Sequence, residues 1–268
     1  MRVAFQGAAG SFSEAMSRVW YPDAQRMACR TFDDAFARVE GGEADAAVIP
    51  LENSLTGRIG PATERLMTSP LHIMREGTLK IEHCLIAQEG ACLEDIRRIY
   101  GHPEALAQCR LYLERLGRET ISWWDGAGAV QEVRADPSSA LVGNAGIAAS
   151  GGLAVLAHTI QDYTDNYTRF VAISRGEAAP TGRDKTTISF TLSHRPGSLV
   201  RALAVFDAHG INLTRLSSMP VREEPWSYAF IADFEGHADD APVKGALSEL
   251  SEVCAKVRFH GSYPRMVG

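Results

Sequence analysis

A hydroxyl and a guanidinium stand side by side in Asp165-Asn166-Tyr167-Thr168-Arg169-Phe170, where a polar loop gives way to the apolar run Val171-Ala172-Ile173. A threonine hydroxyl there is able to donate a hydrogen bond to a departing oxygen, and Asn166 and Arg169 beside it suit a small anion. Two upstream loops suit the same work. Gln6-Gly7-Ala8-Ala9-Gly10-Ser11-Phe12-Ser13 puts two glycines and two serines between a strand and a helix. That brings bare backbone N–H groups to the positive end of the helix, a seat for a carboxylate or phosphate. Its spacing is neither GxGxxG nor a P-loop, which disfavours a nucleotide. Pro50-Leu51-Glu52-Asn53-Ser54-Leu55-Thr56-Gly57-Arg58 crowds polar side chains after a buried strand, and Glu52, Asn53 and Ser54 there suit orientation of a substrate. Each loop also has a plain structural reading: a capped turn, a loop sealed by its own hydrogen bonds through Glu52, an ion pair made by Arg169.

The bulk numbers narrow the class. The chain has 268 residues, 45% hydrophobic and 22% charged, enough for two domains. A net charge of -6 argues against a nucleic-acid face, and no run of 18 apolar residues suggests a membrane span. Met1-Arg2-Val3-Ala4-Phe5 enters a strand directly, without the pattern of an export signal, so a cytoplasmic protein is expected. Five cysteines without CxxC spacing and eight scattered histidines predict buried or half-buried structural thiols and no metal.

Periodicity places these loops. Strands are expected at 3–5, 46–49 (ended by Pro50), 72–74, 82–87, 96–100, 121–123, 140–142, 153–156 and 170–173. Helices are expected at 13–20, 31–40, 61–68, 103–116, 128–134 and 145–149. Alternation of this kind argues for open, largely parallel α/β sheets, whose ligands sit beyond the carboxyl ends of the strands. The small polar stretch Gly176 to Lys185 reads as a linker. Beyond it, strands at 186–192, 213–220, 228–234 and 257–263 and helices at 198–209 and 243–253 give βαββαβ, the ferredoxin-like order, with a turn at Arg222-Glu223-Glu224-Pro225.

The three loops, Gly7 to Ser13, Pro50 to Ser54 with Gly57, and Asn166 to Phe170, resemble the signature segments of bacterial prephenate dehydratase, and the C-terminal part resembles an ACT regulatory domain. The resemblance implies an α/β catalytic domain over 1–178 with two lobes of the type 2 periplasmic-binding-protein kind, about 1–78 with 160–178 and about 79–159. A linker at 179–185 and an ACT domain at 186–268 follow. It implies conversion of prephenate to phenylpyruvate, water and carbon dioxide in L-phenylalanine biosynthesis, with no cofactor or metal. L-Phenylalanine is the implied effector and a homodimer or homotetramer the implied assembly.

By the same resemblance Thr168 is the catalytic residue. Ser11, Phe12, Ser13, Glu52, Asn53, Ser54, Gln108, Asn166, Arg169 and Phe170 are substrate-binding. Gly197, Ser198, Leu199, Asn212, Leu213, Ser217 and Ser218 are effector-binding. Two departures stand out: Gly101 occupies the place before His102-Pro103 where relatives usually carry serine, and Glu104 replaces a common glutamine. In the ACT segment Ser217-Ser218-Met219-Pro220 replaces Glu-Ser-Arg-Pro. A prephenate decarboxylase or arogenate dehydratase on the same scaffold, and a non-catalytic amino-acid sensor, remain as alternatives.

Overall fold

The structure, a computed structural model, describes residues 1–221 and 228–266. The turn expected at Arg222-Glu223-Glu224-Pro225 lies outside the described residues. The chain divides into two compact units, residues 1–62 with 78–170, and residues 63–77 with 171–268.

The N-terminal stretch forms β1 (Arg2–Gln6), α1 (Phe12–Trp20), β2 (Gln25–Cys29), α2 (Phe32–Glu40), β3 (Ala46–Asn53), β4 (Gly57–Arg58), α3 (Gly60–Thr68) and β5 (His72–Lys80). The middle forms β6 (Cys84–Ala87), β7 (Arg98–Gly101), α4 (Pro103–Gln108), α5 (Arg110–Leu116), β8 (Glu119–Ser122), α6 (Val130–Ala135), β9 (Ser139–Gly143), α7 (Ala145–Gly151) and β10 (Ala154–Ala157). Strand β11 (Tyr167–Ser174) follows. One sheet runs β2-β1-β3-β11-β5 with β4 against β3, and a second runs β10-β6-β9-β7-β8. Strand β1 is parallel to both its neighbours. The second sheet is mixed, because β6 runs antiparallel to β9 and to β10.

Local chemistry explains most boundaries. Ser11 caps α1 by accepting from Glu14 N, and Thr31 and Asp34 form a reciprocal capping box on α2. Several elements differ from expectation, among them β5, which runs on to Lys80 where a strand was expected to end at Met74. Strand β3 runs through Pro50 to Asn53. Its ladder to β1 covers only Ala46 to Val48, so the missing N–H of Pro50 breaks none of those bonds. The helix expected over 103–116 is two helices that break at Cys109. The Asp162 loop takes both orphan groups: Asp162 N donates to Gln108 O at 2.7 Å, and Leu111 N donates to Asp162 Oδ1 at 3.0 Å. Gln108 is thereby left at a helix end. Strand β2 is additional; its residues, Gln-Arg-Met-Ala-Cys, lack the alternation that marks a strand.

In the second unit, β12 (Asp184–Thr191), α8 (Ser198–Ala208), β13 (Leu213–Pro220), β14 (Tyr228–Glu235), α9 (Ala241–Val253) and β15 (Lys256–Pro264) give an antiparallel sheet of order β13-β14-β12-β15. Ile188, Phe190, Phe206, Phe234 and Leu250 form the core between sheet and helices. Residues 63–77 lie on the same unit. Gly261, at φ +129°, passes so close to Ile73 that a Cβ would come within 2.6 Å of its carbonyl oxygen. Lys185 pairs with the buried Glu76 at 2.7 Å.

Candidate active site

The site is built outward from two backbone amides. Leu55 N and Thr56 N, in the loop after β3, donate to Asn53 Oδ1 at 2.9 and 3.1 Å. Backbone N–H groups only donate, so that atom must be the oxygen and Nδ2 must face β11. Nδ2 donates to Asn166 Oδ1 at 2.7 Å, to Tyr167 O at 3.2 Å and to Thr168 Oγ1 at 3.1 Å. The Thr168 oxygen is therefore an acceptor here, and its own hydrogen has no protein acceptor among the described residues. The same orientation propagates inward. Asn166 Nδ2 donates to Gln108 Oε1 at 2.8 Å, and that oxygen also meets His83 Nε2 at 3.0 Å. An oxygen acceptor requires His83 to carry its proton on Nε2. Burial lowers the His83 pKa, opposed by the Gln108 hydrogen bond, so the ring is neutral.

Thr168 faces a cavity of about 490 Å³, together with Ser11, Phe12, Ser13, Asn53, Gln108 and Phe170. Seven of the eleven expected catalytic and substrate-binding residues thus share one wall. The other four do not line it. Arg169 lies across β11 from Thr168 and Phe170, because successive strand residues face opposite ways, and its guanidinium sits 3.8 Å from Glu52. Ser54 clasps its loop, accepting from Tyr167 N at 2.9 Å and donating to Asp165 O at 3.3 Å. Asn166 is fully buried behind Asn53 and Gln108.

The glycine-rich loop also differs from expectation, since its amides are not all bare. Gly10 N donates to Glu14 Oε2 at 2.6 Å and Ala8 N to Asp125 Oδ2 at 2.6 Å. The chain's own carboxylates hold those positions. Phe12 and Ser13, in the first turn of α1, line the cavity, and a helix start of this kind suits an anion.

Arg58, His83, His102, Trp124, Asp125 and Glu104 line the cavity without having been picked out as site residues. His102 and Glu104 open α4, where the His102 side chain caps Glu104 N at 3.3 Å. Asp125 precedes Gly126-Ala127-Gly128, an acid before small residues, which is no motif and the one local feature that could have drawn attention to it. Burial is the main cause pushing its carboxyl above the usual carboxylate range, against backbone donors that include Ala8 and Ala127. Among the described residues no three His, Cys, Asp or Glu side chains are placed to hold a metal ion.

Gly101 has a physical explanation. A Cβ there would meet Leu106 Cδ2 at 2.8 Å and Cγ at 3.0 Å, so Leu106 of α4 fills the space a serine would need.

Comparison with known proteins settles the family. Residues 3–178 match the family described as prephenate dehydratase, and residues 186–252 match the ACT domain. The chain belongs to the prephenate dehydratase family. It is 40% identical over 279 residues to arogenate dehydratase/prephenate dehydratase 2 of Arabidopsis thaliana, covering 98% of this chain and 73% of that one. It is 36% identical to a bifunctional N-acyl-homoserine lactone acylase/prephenate dehydratase of Komagataeibacter europaeus, covering 98% and 95%. Among solved structures, the prephenate dehydratase of Arthrobacter aurescens in complex with L-Phe superposes with a TM-score of 0.90 at 36% identity, covering 99% of this chain and 90% of that one. The chain is thus an enzyme of the prephenate dehydratase type, a lyase of phenylalanine biosynthesis with a regulatory ACT domain. Its fold is the family's α/β part, built on two sheets, plus a ferredoxin-like ACT domain.

In the ACT domain the expected effector residues are spread out. Gly197, at φ +78°, precedes α8, and Ser198 Oγ accepts from Arg201 Nη2 at 3.1 Å. Leu199 and Leu213 pack on the core, and Asn212 O accepts from Glu235 N. Ser217 pairs with Ile231 and Ser218 with Phe230, so the two serines occupy opposite faces of β13.

Proposed function

We propose that this cavity removes water and carbon dioxide from prephenate to give phenylpyruvate, with Thr168 as the group that meets the departing oxygen. The observation that carries this is the Asn53 to Thr168 hydrogen bond, which holds the hydroxyl by its oxygen and leaves its hydrogen to point into the cavity. The bond from the ring to its carboxylate breaks and its electrons complete the aromatic ring. The ring C–O bond breaks with its electron pair on oxygen, and a proton converts the hydroxide to water. Thr168 stabilises that oxygen as charge develops; threonine is too weak an acid to supply the proton alone, so a second donor or water completes the transfer.

Arg58 takes over the anchoring role first expected of Arg169. It lines the cavity, and its buried Nη1 has no hydrogen-bond partner among the described residues. One guanidinium together with the first turn of α1 suits the pyruvyl carboxylate. The departing carboxylate is better served by neutral donors such as Asn53, because a cationic clamp would favour the ground state over the transition state.

The reading also includes a cytoplasmic homodimer or homotetramer and L-phenylalanine as effector. Support for pairing comes from β13 and β15, which stand at the two ends of their sheet among the described residues. Support for the effector comes from the L-Phe complex of the Arthrobacter relative.

Incubation of the protein with prephenate, followed by mass spectrometry, tests the reaction. Phenylpyruvate is expected. A non-aromatic keto acid, or untouched prephenate, overturns the reading.

A further inference from the structure

We infer that Asp162 is a positioning residue for the dehydratase reaction: by breaking one helix into two it sets Gln108, and through Gln108 the amides that hold Thr168. The inference rests on the dehydratase reading above and adds a residue to it. Asp162 itself is not among the residues that line the cavity.

The local sequence favours a single helix. Leu106, Cys109, Leu113 and Leu116 keep helical spacing across the break, and Ala105-Leu106-Ala107-Gln108-Cys109-Arg110-Leu111-Tyr112 contains neither glycine nor proline. In an unbroken helix Leu111 N would donate to Ala107 O, and Tyr112 N to Gln108 O. Instead Leu111 N donates to Asp162 Oδ1 at 3.0 Å, and Gln108 O accepts from Asp162 N at 2.7 Å. Cys109 gives α5 no side-chain cap, so a carboxylate 51 positions away stands in for one.

Burial leaves Gln108 free to move. No side chain of α4 is buried, whereas Cys109 and Leu113 are. The core therefore anchors the α5 side of the break, and the backbone angle at Cys109, φ −111° and ψ 17°, decides where Gln108 reaches. That reach matters two hydrogen bonds further on. Gln108 Oε1 accepts from Asn166 Nδ2 at 2.8 Å and fixes that amide. Asn166 Oδ1 then faces Asn53 Nδ2, which also donates to Thr168 Oγ1. If the helix closes up and Gln108 leaves, the Asn166 amide is free to turn. Turned, it presents a donor to the donor of Asn53, and the repulsion pulls Asn53 away from Thr168.

Steady-state kinetics on Asp162→Asn and Asp162→Leu, two side chains of similar shape, test this. Asparagine keeps an oxygen for Leu111 N, and its kcat on prephenate is expected to stay within about twofold of wild type. Leucine offers no acceptor. Its kcat is expected to fall about 10-fold, as for a lost N-cap, with KM changed less because Thr168 acts in the transition state. In a Gln108→Ala background the same Asp162→Leu change is expected to lower kcat less than about twofold, since the effect runs through Gln108. Wild-type kcat in Asp162→Leu with only a lower melting temperature is what a plain helix cap gives, and it overturns the inference. An equal fall in Asp162→Asn overturns it too, as does a full additional loss beside Gln108→Ala. Circular dichroism checks folding. Should Asp162→Leu not fold, Asp162→Ala takes its place; if that also fails, the residue serves the fold and the inference falls. The wild type is the separate control. If it leaves prephenate untouched, the dehydratase reading itself fails; a working wild type beside an equally active Asp162→Leu sinks this inference alone.

Discussion

Two buried polar networks, one in each unit, contain a histidine with an unpartnered Nδ1, and they end differently. In the first unit the chain of bonds runs from Leu55 and Thr56 through Asn53 to Asn166, Gln108 and His83, and branches at Asn53 to Thr168. That branch opens on a cavity with a hydroxyl hydrogen unspent. In the second unit His260 Nε2 meets Ser189 Oγ at 2.8 Å, and Thr187 Oγ1 donates to Asp233 Oδ1 at 2.8 Å and meets the Tyr263 phenolic hydroxyl at 2.7 Å. His260 is fully buried, and none of these side chains lines the cavity that Thr168 faces. The contrast teaches that similar side chains, Thr, Asn, His and Ser, become chemistry or scaffolding according to whether one hydrogen bond is left to be made at a cavity wall.

The comparison breaks most sharply at Thr168. Thr168→Ala is expected to lower kcat about 10²- to 10³-fold, as for loss of an oxyanion-hole donor, with melting temperature nearly unchanged. Ser189→Ala in the second network is expected to do the reverse, leaving kcat in place and costing about 1–3 kcal/mol of stability as His260 loses its partner. Steady-state kinetics and thermal melts on the two variants read this directly. Comparable kcat for Thr168→Ala and wild type would end the distinction.

The next effect is one of pH. Burial, with help from the charges of Arg258 and His72, pushes the His260 pKa down to about 3. In the unfolded chain the ring takes its proton near 6.5. The folded pKa lies below the unfolded one, so the unfolded state binds the extra proton first and stability falls as pH drops from 6.5 toward 3. The slope is about 1.4 kcal/mol per pH unit for one such group well below its unfolded pKa. Denaturant melts at pH 7 and pH 5 are expected to show the loss in wild type and a smaller one in His260→Gln. His83, also lowered by burial, adds in the same direction. Equal pH slopes in wild type and variant would show that the second network does not keep its histidine neutral.

How much of this was legible in the sequence varies by element. Strand β13 was read at 213–220, its observed bounds, with Pro220 and the turn-like stretch after it marking its end. The α2 cap at Thr31 was equally plain, since a capping box is local. Asn53, Gln108 and Thr168 were found through motif resemblance, and the structure places them on one wall. What sequence could not give was the direction of side chains and the choice of partners. Arg169 sits next to Thr168 in the chain yet on the other face of the strand, while Arg58, which pairs along β3 with Glu52, reaches the cavity. Asp125 carries no motif at all, and its meeting with Ala8 spans 117 positions. Cys92 is exposed although every thiol was expected to be buried or half-buried: its neighbours Ala91 and Leu93 pack on the core, and the thiol between them faces outward.

The smallest effect sharpens the first unit from the packing side. Gly101 ends β7 just before His102, where relatives usually carry serine, and the space is filled by Leu106. Gly101→Ser inserts a side chain whose Cβ lies 2.8 Å from Leu106 Cδ2. The tip of a leucine yields more easily than backbone, so the cost is set at about 1 kcal/mol, the low end for overpacking. If the clash with Leu106 is the cause, Gly101→Ser combined with Leu106→Ala is less destabilised than the sum of the two single variants, and a double-mutant cycle on thermal melts measures the coupling. Additive costs would mean that the glycine is required by its backbone instead. Restored stability with unchanged turnover would show that a hydroxyl at position 101 adds nothing to this cavity, and that the wall formed by Asn53, Gln108 and Thr168 suffices.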